Sequence, residues 1–123
     1  MVSEEIEREA LRTAIENIAA RIQAERDYLI DLDSAIGDAD HGANLDRGFQ
    51  AVVEEVADAS DASPQEIAKT VGMSLISEVG GASGPLYGGS CMHASSELAD
   101  GVSRETSVAF AEAYLEKVIE RGG

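Results

Sequence analysis

The stretch DSAIGDADHGAN, residues 33–44, places three aspartates, one histidine and two glycines between two segments with helical hydrophobic periodicity. Asp33, Asp38 and Asp40 repel one another when ionised unless a divalent cation or a set of hydrogen-bond donors neutralises them. Gly42 stands where the next helix is expected to begin, so free N–H groups of a helix N-terminus are available to a phosphate. The loop therefore predicts a site for Mg²⁺, held by the three aspartates, and for a phosphate group.

Other roles for these aspartates are helix capping and solvated loop charge. Each of these explains one or two of the carboxylates, but not three of them flanked by glycines. A calcium loop of the EF-hand type is excluded, because none of the three is followed by the glycine and the glutamate that such a loop has at positions six and twelve. Metal ligation accounts best for the cluster.

A second loop, GGASGPLYG at residues 80–88, combines small residues, one hydroxyl and a proline suited to the first turn of a helix. This composition suits an anion, although a glycine-rich loop alone is equally typical of a turn between two helices. Ser83 either binds a phosphate or caps the helix that follows, because the same geometry serves both roles.

Together, the two segments resemble the nucleotide-binding L subunit of dihydroxyacetone (glycerone) kinase. Its members carry L-D-x-x-I-G-D-x-D-H-G-x-N-x-x-R-G-F followed by G-G-A-S-G-P-L-Y-G, which residues 32–49 and 80–88 match. The resemblance implies an all-helical antiparallel barrel that holds ADP or ATP with two Mg²⁺ ions. It implies Asp33, Asp38 and Asp40 as the metal ligands. The positions that it assigns to the nucleotide are His41, Gly42, Ala43, Asn44, Ala82, Ser83 and Gly122.

The same resemblance implies partner subunits. Members that work with a phosphotransferase system keep ADP as a cofactor, accept a phosphoryl group from a phosphohistidine on an M subunit and pass it to dihydroxyacetone on a K subunit. Other members use ATP directly. A homodimer is a further possible assembly.

The chain also departs from the family pattern. Members continue through a G-D-K-T-M motif that the 123 residues lack, and they carry a threonine and bulky aromatics where this chain has GSCM at residues 89–92. We therefore expect residues 1–123 to form one domain that covers about the N-terminal half of the family domain. Two alternatives stay open: a non-catalytic helical remnant that binds partners, and a kinase domain for another small hydroxy compound or a fatty acid.

The chain is strongly acidic, with 24 acidic and 9 basic residues and a net charge of −15. This charge argues against binding to nucleic acid or to an anionic membrane. The acids are scattered along helix faces, which favours adaptation to a high-salt cytoplasm over recognition of a basic partner. The single cysteine, Cys91, has no partner for an internal disulfide and is expected to be a buried helix residue. No apolar run approaches the ~20 residues of a membrane span.

Apolar residues recur at helical spacing along the whole chain, which predicts about five helices. Residues 3–32 form one long helix or two nearly continuous ones, and further helices are expected through 45–58, 64–79, 85–99 and 105–121. Ser3 and Ser63 are the expected N-caps. For the last helix we predict that Val108, Ala111, Leu115 and Val118 face inward. Arg47 is expected to pair with a loop aspartate, Tyr87 to pack, and His93 to be structural or exposed.

Overall fold

The computed structural model describes residues 3–35, 37, 39–59 and 61–122, and within these ranges it contains helices and turns but no β-strand. The predicted all-α class is confirmed. The helices are α1 (Glu4–Ala24), α2 (Arg26–Ser34), α3 (His41–Asp58), α4 (Pro64–Glu78), α5 (Gly89–Ala94) and α6 (Arg104–Gly122). A π-helical turn, Gly84–Gly88, precedes α5 and a 3₁₀ turn, Ser95–Leu98, follows it. None of the described helices is both long enough and apolar enough to span a bilayer.

The helix starts follow local capping chemistry. The Ser3 hydroxyl accepts a hydrogen bond from the Ile6 N–H at 3.2 Å, and Ser63 does the same for the N–H of Glu66 at 3.2 Å. Pro64 occupies the first turn of α4, where the missing N–H has no cost. Both predicted N-caps are therefore confirmed.

The N-terminal helical segment is divided in two at Glu25. The backbone N–H of Glu25 donates to the carbonyl of Arg21, so the hydrogen-bond pattern continues across the break between α1 and α2. The alternative of two nearly continuous helices is the correct one.

Helix α3 lies at the centre of the fold and packs against α1, α2 and α4, while α4 also contacts α5 and the two flanking turns. Two glycines allow close approach to α3. A Cβ atom on Gly42 would collide with the carbonyl oxygen of Arg26 in α2, and one on Gly48 would collide with the side chain of Val79. The buried core is formed by Ile15, Leu45, Val52, Val56, Ile67, Ala68, Val71, Leu75, Val79, Cys91 and Leu98.

The helix predicted over 85–99 is not continuous. Gly84 and Gly88 lie so close to α4 that a Cβ on either would contact α4 backbone carbonyls, among them Leu75 O and Gly72 O, at 2.9 Å and 2.5 Å. Here the backbone follows the α4 surface as a π turn before regular α-helix resumes at Gly89. The close packing of residues 84–88 on α4 accounts for the π turn. The hydrophobic periodicity of the sequence does not indicate this packing.

Helix α6 turns a different face inward from the one predicted. Val108 and Leu115 are 52% and 58% exposed, and Ala111 is exposed as well. Instead, Phe110 and Tyr114 pack against the core, and the Tyr114 hydroxyl donates to the carbonyl of Tyr87 at 3.2 Å. For Val108, Ala111 and Leu115 the prediction was wrong, because this helix has two apolar stripes and the aromatic stripe buries more surface per residue. The fourth predicted residue, Val118, is half-buried.

Candidate functional site

The aspartate loop and the glycine loop meet at one end of α3. They enclose an open depression of about 440 Å³. Its lining is formed by Asp33, Gly37, Asp40, His41, Asn44, Gly80, Gly81, Ala82 and Ser83. The Ser83 hydroxyl lies 3.3 Å from Nδ1 of His41 and joins the loops directly. Ser83 makes no side-chain capping bond to the following turn, so that alternative is wrong.

Asp33 organises the first loop. Its Oδ2 atom accepts hydrogen bonds from the backbone N–H groups of Asp40 at 3.0 Å and His41 at 3.3 Å. The carboxylate, carried by the last turn of α2, therefore satisfies donors at the N-terminus of α3 and complements its dipole. Asp40 stands at the cap position itself and makes no such side-chain bond. The capping role is thus observed for Asp33.

Asp33 and Asp40 line the depression, and their side chains offer carboxylate oxygens, the ligands that a hard cation prefers. Oδ2 of Asp33 accepts both of the hydrogen bonds from Asp40 and His41, whereas Oδ1 lies beside Gly37. The third predicted ligand, Asp38, lies outside the described residues. Within the described part of the chain no group of three or more His, Cys, Asp or Glu is arranged to hold a metal ion. Magnesium ligation by the three aspartates stays a prediction.

The depression includes only part of the predicted nucleotide set. His41, Asn44, Ala82 and Ser83 line it, whereas Gly42 and Ala43 do not. Gly42 is buried against α2, so its small size serves helix packing. Gly81 has φ +68°, a left-handed conformation that glycine adopts without strain, and no atom lies within 4 Å of a Cβ built on it. The open approach to the second loop is therefore at Gly81.

A second depression, of about 540 Å³, adjoins the first and shares Ala82 with it. Pro85, Leu86, Arg121 and Gly122 complete its lining. Gly122 is thus brought to the glycine loop, and a Cβ on it would lie 3.7 Å from Cδ1 of Leu86. Arg121 was not among the predicted site residues, since an arginine near the end of a helix is most often a solvated cation.

Arg47 supports the glycine loop from outside the depression. Its Nη2 and Nε atoms donate to the carbonyl oxygen of Glu78 at 2.9 Å and 3.3 Å, where the last turn of α4 leaves carbonyls without helical partners. The predicted ion pair of Arg47 with a loop aspartate is not formed with Asp33 or Asp40, and Asp38 lies outside the described residues. In the described structure it is Arg26 that lies near an aspartate of α3, with Nε 3.6 Å from Asp46 Oδ2.

Cys91 is structural. It is 7% exposed, its Sγ lies 3.3 Å from the carbonyl oxygen of Ala68, and burial raises the pKa of its thiol to about 11. A thiol with so high a pKa is a poor nucleophile at neutral pH. Tyr87 packs against the core and His93 is exposed, as predicted.

Comparison with known proteins agrees with the loop motifs. The family model described as the DAK2 domain matches residues 35–123. The ADP-binding subunit DhaL of PEP-dependent dihydroxyacetone kinase 1 from Listeria innocua is 37% identical over 109 residues, which are 88% of this chain and 55% of that protein. The corresponding Escherichia coli subunit is 49% identical over 81 residues, which are 63% of this chain and 39% of that protein.

A third relative is the ADP-binding subunit DhaL of PTS-dependent dihydroxyacetone kinase from Lactococcus lactis, 48% identical over 68 residues, or 55% of this chain and 35% of that protein. The chain spans about half the length of these curated relatives, or less. The DAK2 match covers most of the chain, including residues 35–44 of the first loop and all of the second loop. The resemblance to the dihydroxyacetone kinase L subunit is thereby confirmed, and the chain belongs to the DAK2 domain family.

Proposed function

We propose that this chain binds Mg²⁺ and ADP or ATP as the nucleotide-binding component of a dihydroxyacetone kinase. The observation that carries the proposal is the depression formed where the aspartate loop meets the glycine loop, with His41 in contact with Ser83. The relatives named as ADP-binding subunits support the same ligand.

In this proposal Asp33, Asp38 and Asp40 would hold two Mg²⁺ ions, which would supply positive charge against the nucleotide phosphates. Gly81, Ala82 and Ser83 line the opposite side of the depression, where a phosphate is within reach of the loop backbone. The hydrogen bond between His41 and Ser83 connects the two loops. The chain's own contribution is positioning and electrostatics, which dominate phosphoryl transfer.

The phosphoryl group would pass to dihydroxyacetone on a K subunit, from a phosphohistidine on an M subunit when ADP stays bound or from ATP directly. The relatives' names, which include PEP-dependent and PTS-dependent kinases, support the first of these routes. The acceptor would then sit on another polypeptide.

Calorimetric titration with Mg·ADP in molar salt tests the proposal. We expect saturable binding that is lost when EDTA removes the metal and when Asp38 is replaced by Ala. Asp31→Ala is the matched control, because it removes the same charge from an exposed position on α2 that does not line the depression. Circular dichroism of each variant checks that helix content is retained.

Unchanged Mg·ADP affinity in Asp38→Ala would overturn the metal assignment. Absence of any binding by the wild-type chain would favour the alternative of a non-catalytic helical module. If binding is found, adding a K subunit with dihydroxyacetone and a phosphoryl donor tests transfer itself.

A further inference from the structure

Arg121 lies in the second depression, next to the residue that both depressions share. It lines this depression together with Gly122 of α6 and with Ala82, Pro85 and Leu86 of the glycine-loop region. Arg121 is 39 positions from Ala82 in sequence, and the packing of α6 against α5 brings the two regions together. The guanidinium is therefore beside the loop that the proposed function assigns to phosphate.

The guanidinium is seated over Gly89. The three atoms nearest to a Cβ built on Gly89 all belong to it: Nη1 at 3.0 Å, Cζ at 3.3 Å and Nε at 3.8 Å. Gly89 itself has φ −62° and ψ −38°, an ordinary helical conformation that any residue adopts. The backbone conformation at position 89 therefore does not require glycine. The missing side chain leaves space that the Arg121 guanidinium occupies.

Arg121 is exposed and, like Arg47, Lys69 and Arg104, forms no ion pair with a carboxylate of the described residues. The other five basic residues, Arg8, Arg12, Arg21, Arg26 and Lys117, each form an ion pair with a described Asp or Glu. Of the described residues that line the two depressions, Arg121 is the one permanent cation, and its depression adjoins the one lined by Asp33 and Asp40. A guanidinium without a carboxylate partner is well suited to bind a phosphate through two parallel hydrogen bonds.

The geometry points to Arg121 as a nucleotide-binding residue, which contacts the phosphate nearest Ala82 and whose guanidinium occupies the space left by the missing side chain of Gly89. This inference rests on the proposed function and adds a cationic contact to it. Mg²⁺ on the aspartates would neutralise the outer phosphate, and Arg121 would neutralise the inner one. Pro85 and Leu86 would offer an apolar surface to the nucleoside.

The test measures Mg·ADP and Mg·pyrophosphate affinity by calorimetry. We expect Arg121→Gln to weaken both by about tenfold, the usual effect of losing a charge-assisted hydrogen bond. Arg104→Gln, which removes the same charge from an exposed position at the other end of α6, should change neither. Gly89→Thr, which introduces the residue type of the family pattern, should weaken Mg·ADP binding in the wild-type background but add nothing to Arg121→Gln. Urea unfolding of each variant shows whether it is folded.

Wild-type affinity for both ligands in folded Arg121→Gln would overturn the inference while leaving the proposed function intact. A loss for Mg·ADP without a loss for Mg·pyrophosphate would overturn the phosphate contact, because it would mean that the guanidinium touches only the nucleoside. Full additivity of Gly89→Thr and Arg121→Gln would overturn the role of Gly89. Failure of the wild-type chain to bind either ligand would overturn the proposed function and this inference together.

Discussion

Nδ1 of His41 lies 3.3 Å from the hydroxyl oxygen of Ser83, across a sequence separation of 42 residues. His41 is the first residue of α3, and Ser83 directly precedes the π turn. The contact is partly exposed, so it adds little to stability, but it ties together the two loops that line the depression.

Replacing Ser83 with Ala is expected to weaken Mg·ADP binding several-fold. The free energy of unfolding should change by no more than about 0.5 kcal/mol, as for most surface substitutions. Ser77→Ala, at an exposed position of α4, is the control. Calorimetry and urea denaturation measure the two quantities. A large loss of stability with unchanged affinity would show that the contact is structural only.

Asp33 is expected to have two separable roles. Asp33→Ala removes the acceptor for the N–H groups of Asp40 and His41 and should lower the free energy of unfolding by about 1 kcal/mol, as for other lost helix caps. Asp33→Asn keeps an oxygen acceptor and should retain most of that stability. Both variants should lose Mg·ADP affinity more than tenfold, because each lacks a charged metal ligand. Wild-type affinity in Asp33→Asn would remove Asp33 from the metal site.

Salt is expected to stabilise the fold. With a net charge of −15, the unscreened chain repels itself, and at ~10 mM salt the Debye length of about 30 Å leaves most of these charges in range of one another. Circular dichroism during a salt titration should show helix content and cooperativity of unfolding rising toward molar salt. An equally stable fold at both ends of the titration would remove the argument for salt adaptation.

Burial of Cys91 predicts loss of stability at high pH. The pKa of the thiol is raised from 9.0 to about 11, so above pH 9 the unfolded chain releases a proton that the native chain retains. The unfolded state then binds fewer protons, and the free energy of unfolding falls as the pH rises from 9 to 11. Below pH 9 this group contributes no pH dependence.

The measurement is urea denaturation between pH 8 and pH 11 of wild type and Cys91→Ala. The variant should show a shallower fall, by at most about 1.4 kcal/mol per pH unit, since one proton is involved. Burial also raises the pKa of Tyr114, to about 12, and the charge of the ionised Cys91 adds to this rise, so part of the Tyr114 contribution is also lost in Cys91→Ala. Parallel pH curves would show that the thiol ionises freely in the native chain.

Local interactions explain what the sequence alone predicted. Ser3 and Ser63 cap helices by contacts with residues three positions away, and the α1–α2 break falls within one helical segment. The two loop motifs also identified the family, because they are long and composite. All of these depend on residues that are near one another in the chain, so their spacing is sufficient.

The three-dimensional structure alone decided which residues meet. Helix α6 has two apolar stripes, and only the competition for the core selects Phe110 and Tyr114 over Val108 and Leu115. The seat of Arg121 over Gly89 depends on α6 packing against α5, a contact between residues 32 positions apart. Hydrophobic periodicity and sequence motifs predict helices and loops, because the interactions that form them are local. The buried face of a helix and the contacts of a side chain depend on how distant segments pack, and a local sequence pattern holds no information about that packing.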